Sequence, residues 1–177
     1  MRELIFRALL RRLSRRRPGR LASLEIQILL DTTARGFGVR RARVWHRPPR
    51  EALREYSQFT VSCMRRREAD PDRLYAEAYR TGSLVRRVTG FRYSWDISAL
   101  VFYLYRNIGI GVEGHIPGEV TVRRCRFSGF YTPEECRVMS AVDSGIIAGI
   151  AGGGRLEFTE RLTQGDGCCR AVFTKEP

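Results

Sequence analysis

Over residues 21–33 the apolar positions Leu24, Ile26, Ile28, Leu29 and Leu30 fall on nearly every side of a helical wheel. That pattern predicts a helix buried on more than one face, ended by Gly36 and Gly38. After the stiff stretch 46–49, Ala52, Leu53, Tyr56, Phe59, Thr60 and Cys63 recur at helical spacing, so a second amphipathic helix is expected with Cys63 in its core face. Asp70 followed by Pro71 is a cap and first-turn pair opening a third stripe of Leu74, Ala78, Thr81, Val85 and Val88. Ser94 or Asp96 opens a fourth, with Ile97, Leu100, Val101, Leu104 and Ile108 inward and Gly109 closing it. The period then shortens to two. Val120 and Val122 alternate with Thr121 and Arg123 in a strand that delivers Cys125 at its end. Thr132, Pro133 and Glu135 form a capping box with proline in the first turn, predicting a helix over 133 to about 150 that Gly152, Gly153 and Gly154 stop. Two strands follow, over 155–163 and 168–174, joined by the turn residues Gln164, Gly165, Asp166 and Gly167. The expected class is α+β: N-terminal helices packed on a small antiparallel sheet, with a C-terminal β-α-β-β unit.

Residues 1–17 add a separate pattern. As a helix they place Ile5, Phe6, Leu9, Leu10 and Leu13 on one stripe and Glu3, Arg7, Arg11 and Arg15 opposite. Pro18 and Gly19 break it, so 1–20 is read as a basic extension and 21–177 as one domain, a length suited to a single core. The extension either anchors on anionic lipid or is a tail or helix lying on its own domain. Its apolar stretch is interrupted by Arg7, Arg11 and Arg12, unlike a signal peptide, and no run approaches the roughly 20 apolar residues of a membrane span.

Charge changes this picture less than its size suggests. Thirty-two basic against 19 acidic residues give +13. Nearly all the basic residues are arginine, Lys175 being the sole lysine, and the excess is concentrated before Glu51, which reads as a compositional preference and not a phosphate-binding face. Zinc-finger spacing, a basic region leading into heptads and the aromatic signature of an RNA-binding sheet are all missing, so no nucleic-acid partner is expected. Five cysteines, an odd number, with no secretory leader point to free thiols and a cytoplasmic setting.

The candidate chemistry lies in the C-terminal half. On the 133–150 helix Cys136, Met139, Asp143, Ile146, Ile147 and Ile150 share a side, which puts a carboxylate on an apolar face two turns from a thiol. A carboxylate there needs a cation, a donor, a ligand or a proton, so Asp143 either is tied structurally to backbone or arginine or belongs to a site. In the strand from Arg155, alternation sets Leu156, Phe158, Glu160 and Leu162 on one face and Arg155, Glu157, Thr159 and Arg161 on the other; a slip or bulge there would expose Glu160. Cys169, Ala171 and Phe173 are the more core-like set of the last strand. Cys125, Cys136 and Cys169 are thereby brought together, and two roles stay open. They hold a metal with a fourth ligand, although no Cys-x-x-Cys pair exists, or one is a nucleophile whose thiolate is favoured by Arg123, Arg124 and Arg126. The Gly152–Gly154 run follows a helix and lacks the spacing of a phosphate loop.

Cys125-Arg-Phe127, Thr132-Pro-Glu-Glu-Cys136, Asp143 with Gly145 and Gly149, and Gly165-Asp166-Gly-Cys168-Cys169 together resemble the L-2-amino-thiazoline-4-carboxylic acid hydrolase family. The helical half, including residues 56–60 and the 100–109 helix, is similar too, so the likeness extends over most of the chain after about Leu21. Two departures are Arg126, where many relatives carry proline, and Ala171, where an aromatic often stands. The resemblance implies hydrolysis of a small cyclic C=N substrate by addition of water, with ring opening to a carbamoyl cysteine and no cofactor. It implies Cys125, Cys136, Asp143 and Cys169 as catalytic groups, Asp143 as base or orienter, and Arg124, Glu160, Arg161 and Asp166 as substrate contacts, an arginine taking the substrate carboxylate. The same ending is also similar to 4-vinyl reductase-type domains, which implies as the alternative a small-ligand-binding module without turnover.

Overall fold

Capping chemistry fixes two of the helix starts. In the computed structural model, which describes residues 18–40, 44, 46–66, 69–90 and 94–175, the Asp70 carboxylate accepts from the backbone N–H groups of Asp72 and Arg73 at 3.0 and 3.2 Å. Thr132 and Glu135 exchange the two bonds of a full capping box. Each satisfies N–H groups that the first helical turn leaves without partners. Among the described residues the helices are α1 (Pro18–Gly36), α2 (Pro49–Arg66), α3 (Pro71–Thr89), α4 (Ser94–Asn107) and α5 (Pro133–Ala151). The strands are β1 (Ile110–Gly114), β2 (Gly118–Cys125), β3 (Arg155–Glu160) and β4 (Cys169–Thr174). The amphipathic segment 1–17 lies outside the described residues. No described helix is long and apolar enough to cross a membrane.

The strands form one antiparallel sheet in the order β1-β2-β4-β3. Strands β2 and β3 therefore run parallel with β4 between them, and α5 makes the crossover. The core joins Ile146, Ile147 and Ile150 of α5 to Val120, Leu156, Ala171 and Phe173 of the sheet. On its other side α5 packs along α3, where Gly82, Gly145 and Gly149 let the two backbones approach closely. The architecture is α+β, with helices mostly N-terminal and strands C-terminal.

Four local expectations need correcting. The strand β1 was not anticipated: Gly111 and Gly114 dilute its apolar pattern, and Gly109, in the left-handed region at φ +84°, closes α4 and turns the chain directly into it. The unit is thus β-β-α-β-β. Helix α1 is not buried all round, since Leu24 and Ile28 are 50% and 40% exposed, and the α3 stripe stops short of Val88, which is 80% exposed. Finally, β3 ends at Glu160 with a register shift between Phe158 and Glu160, and a short 3₁₀ turn over Leu162–Gln164 replaces its expected last residues. The extra residue inverts the alternation. Glu160 is set outward, against Arg170 at 3.3 Å, while Arg161 turns toward the interior.

Candidate active site

The site is built where α5 crosses the sheet. Residues seven apart on a helix share a face, so Cys136 and Asp143 point the same way, with Ser140 between them. Cys125 ends β2, and Cys169 starts β4 opposite Val122. All four predicted groups line one cavity of about 70 Å³, together with Ser140, Arg161 and Tyr105 of α4. A larger cavity of about 140 Å³ adjoins it and shares Tyr105, Ile110, Cys125, Cys136 and Asp143. Its remaining walls come mainly from α1, α4, α5 and the aromatic side chains Tyr56, Phe127 and Tyr131.

Asp143 is half-buried, its open side facing these cavities. Burial pushes its carboxyl up to about 6, against two opposing influences: the Tyr105 hydroxyl donates to it at 2.6 Å, and the Arg161 guanidinium attracts its charge. Arg161 is itself held in place. Its Nη1 donates to Ser140 Oγ at 2.7 Å, its guanidinium lies 4.4 Å from the centre of the Phe158 ring, and its backbone N–H donates to Asp166 at 2.7 Å. The result is a cation and a carboxylate facing one small space from different elements.

Burial governs the thiols as well. Cys125 is pushed up to about 12, by desolvation first and by the Asp143 charge second, against lowering by backbone N–H groups. The same desolvation raises Cys169, although the Leu162 backbone N–H donates to its sulfur at 3.4 Å. Both shifts favour the protonated thiol over the nucleophilic thiolate. The field expected from the neighbouring arginines does not prevail: Arg123 pairs with Glu113 at 3.2 Å, and Arg124 and Arg126 are exposed. Among the described residues no group of three or more His, Cys, Asp or Glu side chains is placed to hold a metal ion.

The other expected substrate contacts separate into two sets. Arg161 reaches the cavity. Arg124, Glu160 and Asp166 do not line it: Arg124 is exposed on β2, Glu160 accepts from the Cys168 thiol at 3.4 Å on the outer face, and Asp166 is a turn residue that positions Arg161 through its backbone. Cys63 is buried in α2 and lines neither cavity. Sequence reasoning missed Tyr105, Ser140 and the Tyr56–Phe127–Tyr131 cluster. A signal existed for the first two, since Tyr105 lies four residues after Val101 on the inward stripe and Ser140 lies four after Cys136 and three before Asp143.

The Tyr105 hydroxyl stabilises the ionised carboxylate, so removing it has a definite sign. Tyr105→Phe is expected to raise the Asp143 pKa further, which a ¹³C-carboxyl NMR titration reads directly. A downward or absent shift would mean that the hydrogen bond is not made in solution.

Comparison of the chain with family models, with curated proteins and with solved structures returns no match.

Proposed function

We propose that this cavity adds water to the C=N bond of a small cyclic substrate of the 2-amino-thiazoline-4-carboxylate type, opening the ring to a carbamoyl cysteine. The observation that carries the reading is the placement of Asp143, with its carboxyl near 6, facing the same 70 Å³ space as Arg161 and three thiols. A carboxyl tuned toward neutrality is mostly ionised at pH 7 and still basic enough to accept a proton from water. In the proposed step Asp143 takes one proton as the water oxygen bonds to the ring carbon. The C=N electron pair moves to the ring nitrogen, which takes that proton from Asp143; the bond from the carbon to a ring heteroatom then breaks as the added hydroxyl becomes the carbonyl, and the hydroxyl proton passes by way of Asp143 to the leaving atom. Arg161 takes the substrate carboxylate, and the protonated thiols donate to the polar atoms of the ring.

Incubating the purified chain with L-2-amino-thiazoline-4-carboxylate and following the ring-opened product by mass spectrometry tests this reading. Product above the uncatalysed background is expected, and none at high enzyme concentration overturns it. One observation favours a second reading, a ligand-binding domain of the 4-vinyl reductase type: the larger cavity is walled almost wholly by apolar side chains. Retention of the thiazoline without turnover would favour that alternative.

A further inference from the structure

The chain carries thirty-two basic residues, yet among the described residues no basic side chain lines the larger cavity. The charged groups that do are two carboxyls, Asp143 and Glu25. Glu25 comes from α1 and has no part in the chemistry proposed above. One of its oxygens accepts from the Asn107 side-chain amide at 3.0 Å. The other, Oε2, is cut off from solvent and has no hydrogen-bond partner among the described residues. A buried acceptor without a donor is costly, and the cost is recovered when a ligand supplies the donor.

The remaining walls select the rest of that ligand. They are mainly aliphatic, joined by Thr81, the thiols of Cys125 and Cys136 and four aromatic rings, with Tyr56 edge-on to Phe127 at 5.7 Å between ring centres and Phe127 stacked on Tyr131 at 5.8 Å. Aromatic faces attract cations, and a carboxylate adds the counter-charge. Ile28, which is 40% exposed, lines the same cavity, so this end of it reaches the surface between α1 and its neighbours. The volume, about 140 Å³, is that of a single ring: apolar cavities of about 150 Å³ take up benzene.

We infer that the larger cavity binds a small apolar amine, its ring against the aliphatic and aromatic walls and its ammonium group on Glu25. An ammonium donates to Oε2 and keeps Glu25 ionised within the protein. A carboxylate-bearing ligand of the same size finds two carboxyls and no cationic side chain among the described lining residues, so it is rejected. This selectivity is opposite in sign to that of the neighbouring space beside Arg161. It rests on the cavity walls alone and does not depend on turnover of a thiazoline.

Benzylamine, toluene and benzoate probe the three charge states of one ring. Titrating each into the full chain by isothermal calorimetry or ligand-observed NMR is expected to rank benzylamine first and toluene second, with benzoate unbound. Glu25→Gln keeps the shape of the side chain and its bond to Asn107. It is expected to weaken benzylamine about 10-fold or more, the usual scale for losing a hydrogen bond to a charged group, while leaving toluene unchanged. Toluene binding to the variant also shows that the cavity is intact. Binding of benzoate as tight as benzylamine, equal benzylamine affinity in the two proteins, or no binding by any of the three would each overturn the inference.

Discussion

Asp143→Asn is expected to lower hydrolysis of a thiazoline substrate about 100-fold or more, the scale of removing a general base, while leaving the protein folded and stabilising it at neutral pH. The two effects share one cause. Burial raises this carboxyl from its ordinary 3.8 to about 6, so between those values the folded chain holds a proton that the unfolded chain has lost. The unfolded state then binds fewer protons, and stability falls as pH rises through that window; above about 6 the loss is complete. Asparagine has no charge to bury and still offers an oxygen to the Tyr105 hydroxyl. Glu25, raised from 4.5 to about 7 by burial, contributes with the same sign and remains in the variant. Denaturant midpoints taken between pH 4 and 8 should therefore slope less steeply for Asp143→Asn than for the parent, without becoming flat. Cys63→Ser is the control, since that thiol lines neither cavity, and its turnover should equal that of the parent. A variant that loses turnover only because it unfolds would show the opposite change in midpoint, and the assignment of Asp143 as base would fail.

Much of this arrangement can be read from the residue pattern, and the reasons are local. The spacing of seven between Cys136 and Asp143 places them on one helix face whatever the rest of the chain does, and the capping box at Thr132 fixes where that helix starts. The alternation of Cys169, Ala171 and Phe173 likewise determines the inner face of β4. What could not be read depends on events without a local signal. A single inserted residue near the end of β3 exchanged the orientations of Glu160 and Arg161, and period-two alternation has no means of locating such an insertion. The pairing of Tyr105 with Asp143 spans 38 residues and depends on how α4 lies against α5. Glu25 was hidden among apolar neighbours on a helix expected to be buried all round; its role appears only once α1 and α4 are seen to enclose a cavity. The thiols show a conflict of magnitudes that composition cannot resolve, because arginines adjacent in sequence to Cys125 point to solvent while its sulfur points inward.

Gly149→Ala is expected to destabilise the protein by about 3 kcal/mol, the upper end of the usual range for overpacking, and to lower its melting temperature by about 5–10 °C. A Cβ at this position would lie 2.3 Å from the backbone oxygen of Tyr79 and 2.7 Å from the backbone nitrogen of Ser83. Both obstacles are main-chain atoms of α3, so no side chain can rotate aside, and relief requires the two helices to separate. The contact is reciprocal: a Cβ at Gly82 would lie 2.2 Å from the backbone oxygen of Ile146, and one at Gly145 would lie 2.5 Å from that of Tyr75. Once either substitution has forced the helices apart, the second meets less resistance. Gly82→Ala with Gly149→Ala should therefore cost less than the sum of the two. Gly129→Ala and Gly167→Ala supply the comparison, having nothing within 4 Å of the added carbon, and both should melt close to the parent. The consequence reaches the site because α5 carries both Cys136 and Asp143. Moving it off α3 admits water to the cavity, weakens the desolvation that holds the Asp143 carboxyl near 6, and lets its pKa fall toward the ordinary value. A carboxyl NMR titration of Gly149→Ala should show that fall alongside the lower melting temperature. If the variant melts within a degree of the parent and Asp143 titrates unchanged, the two backbones do not meet as described, and the positioning of the site by α3 is wrong.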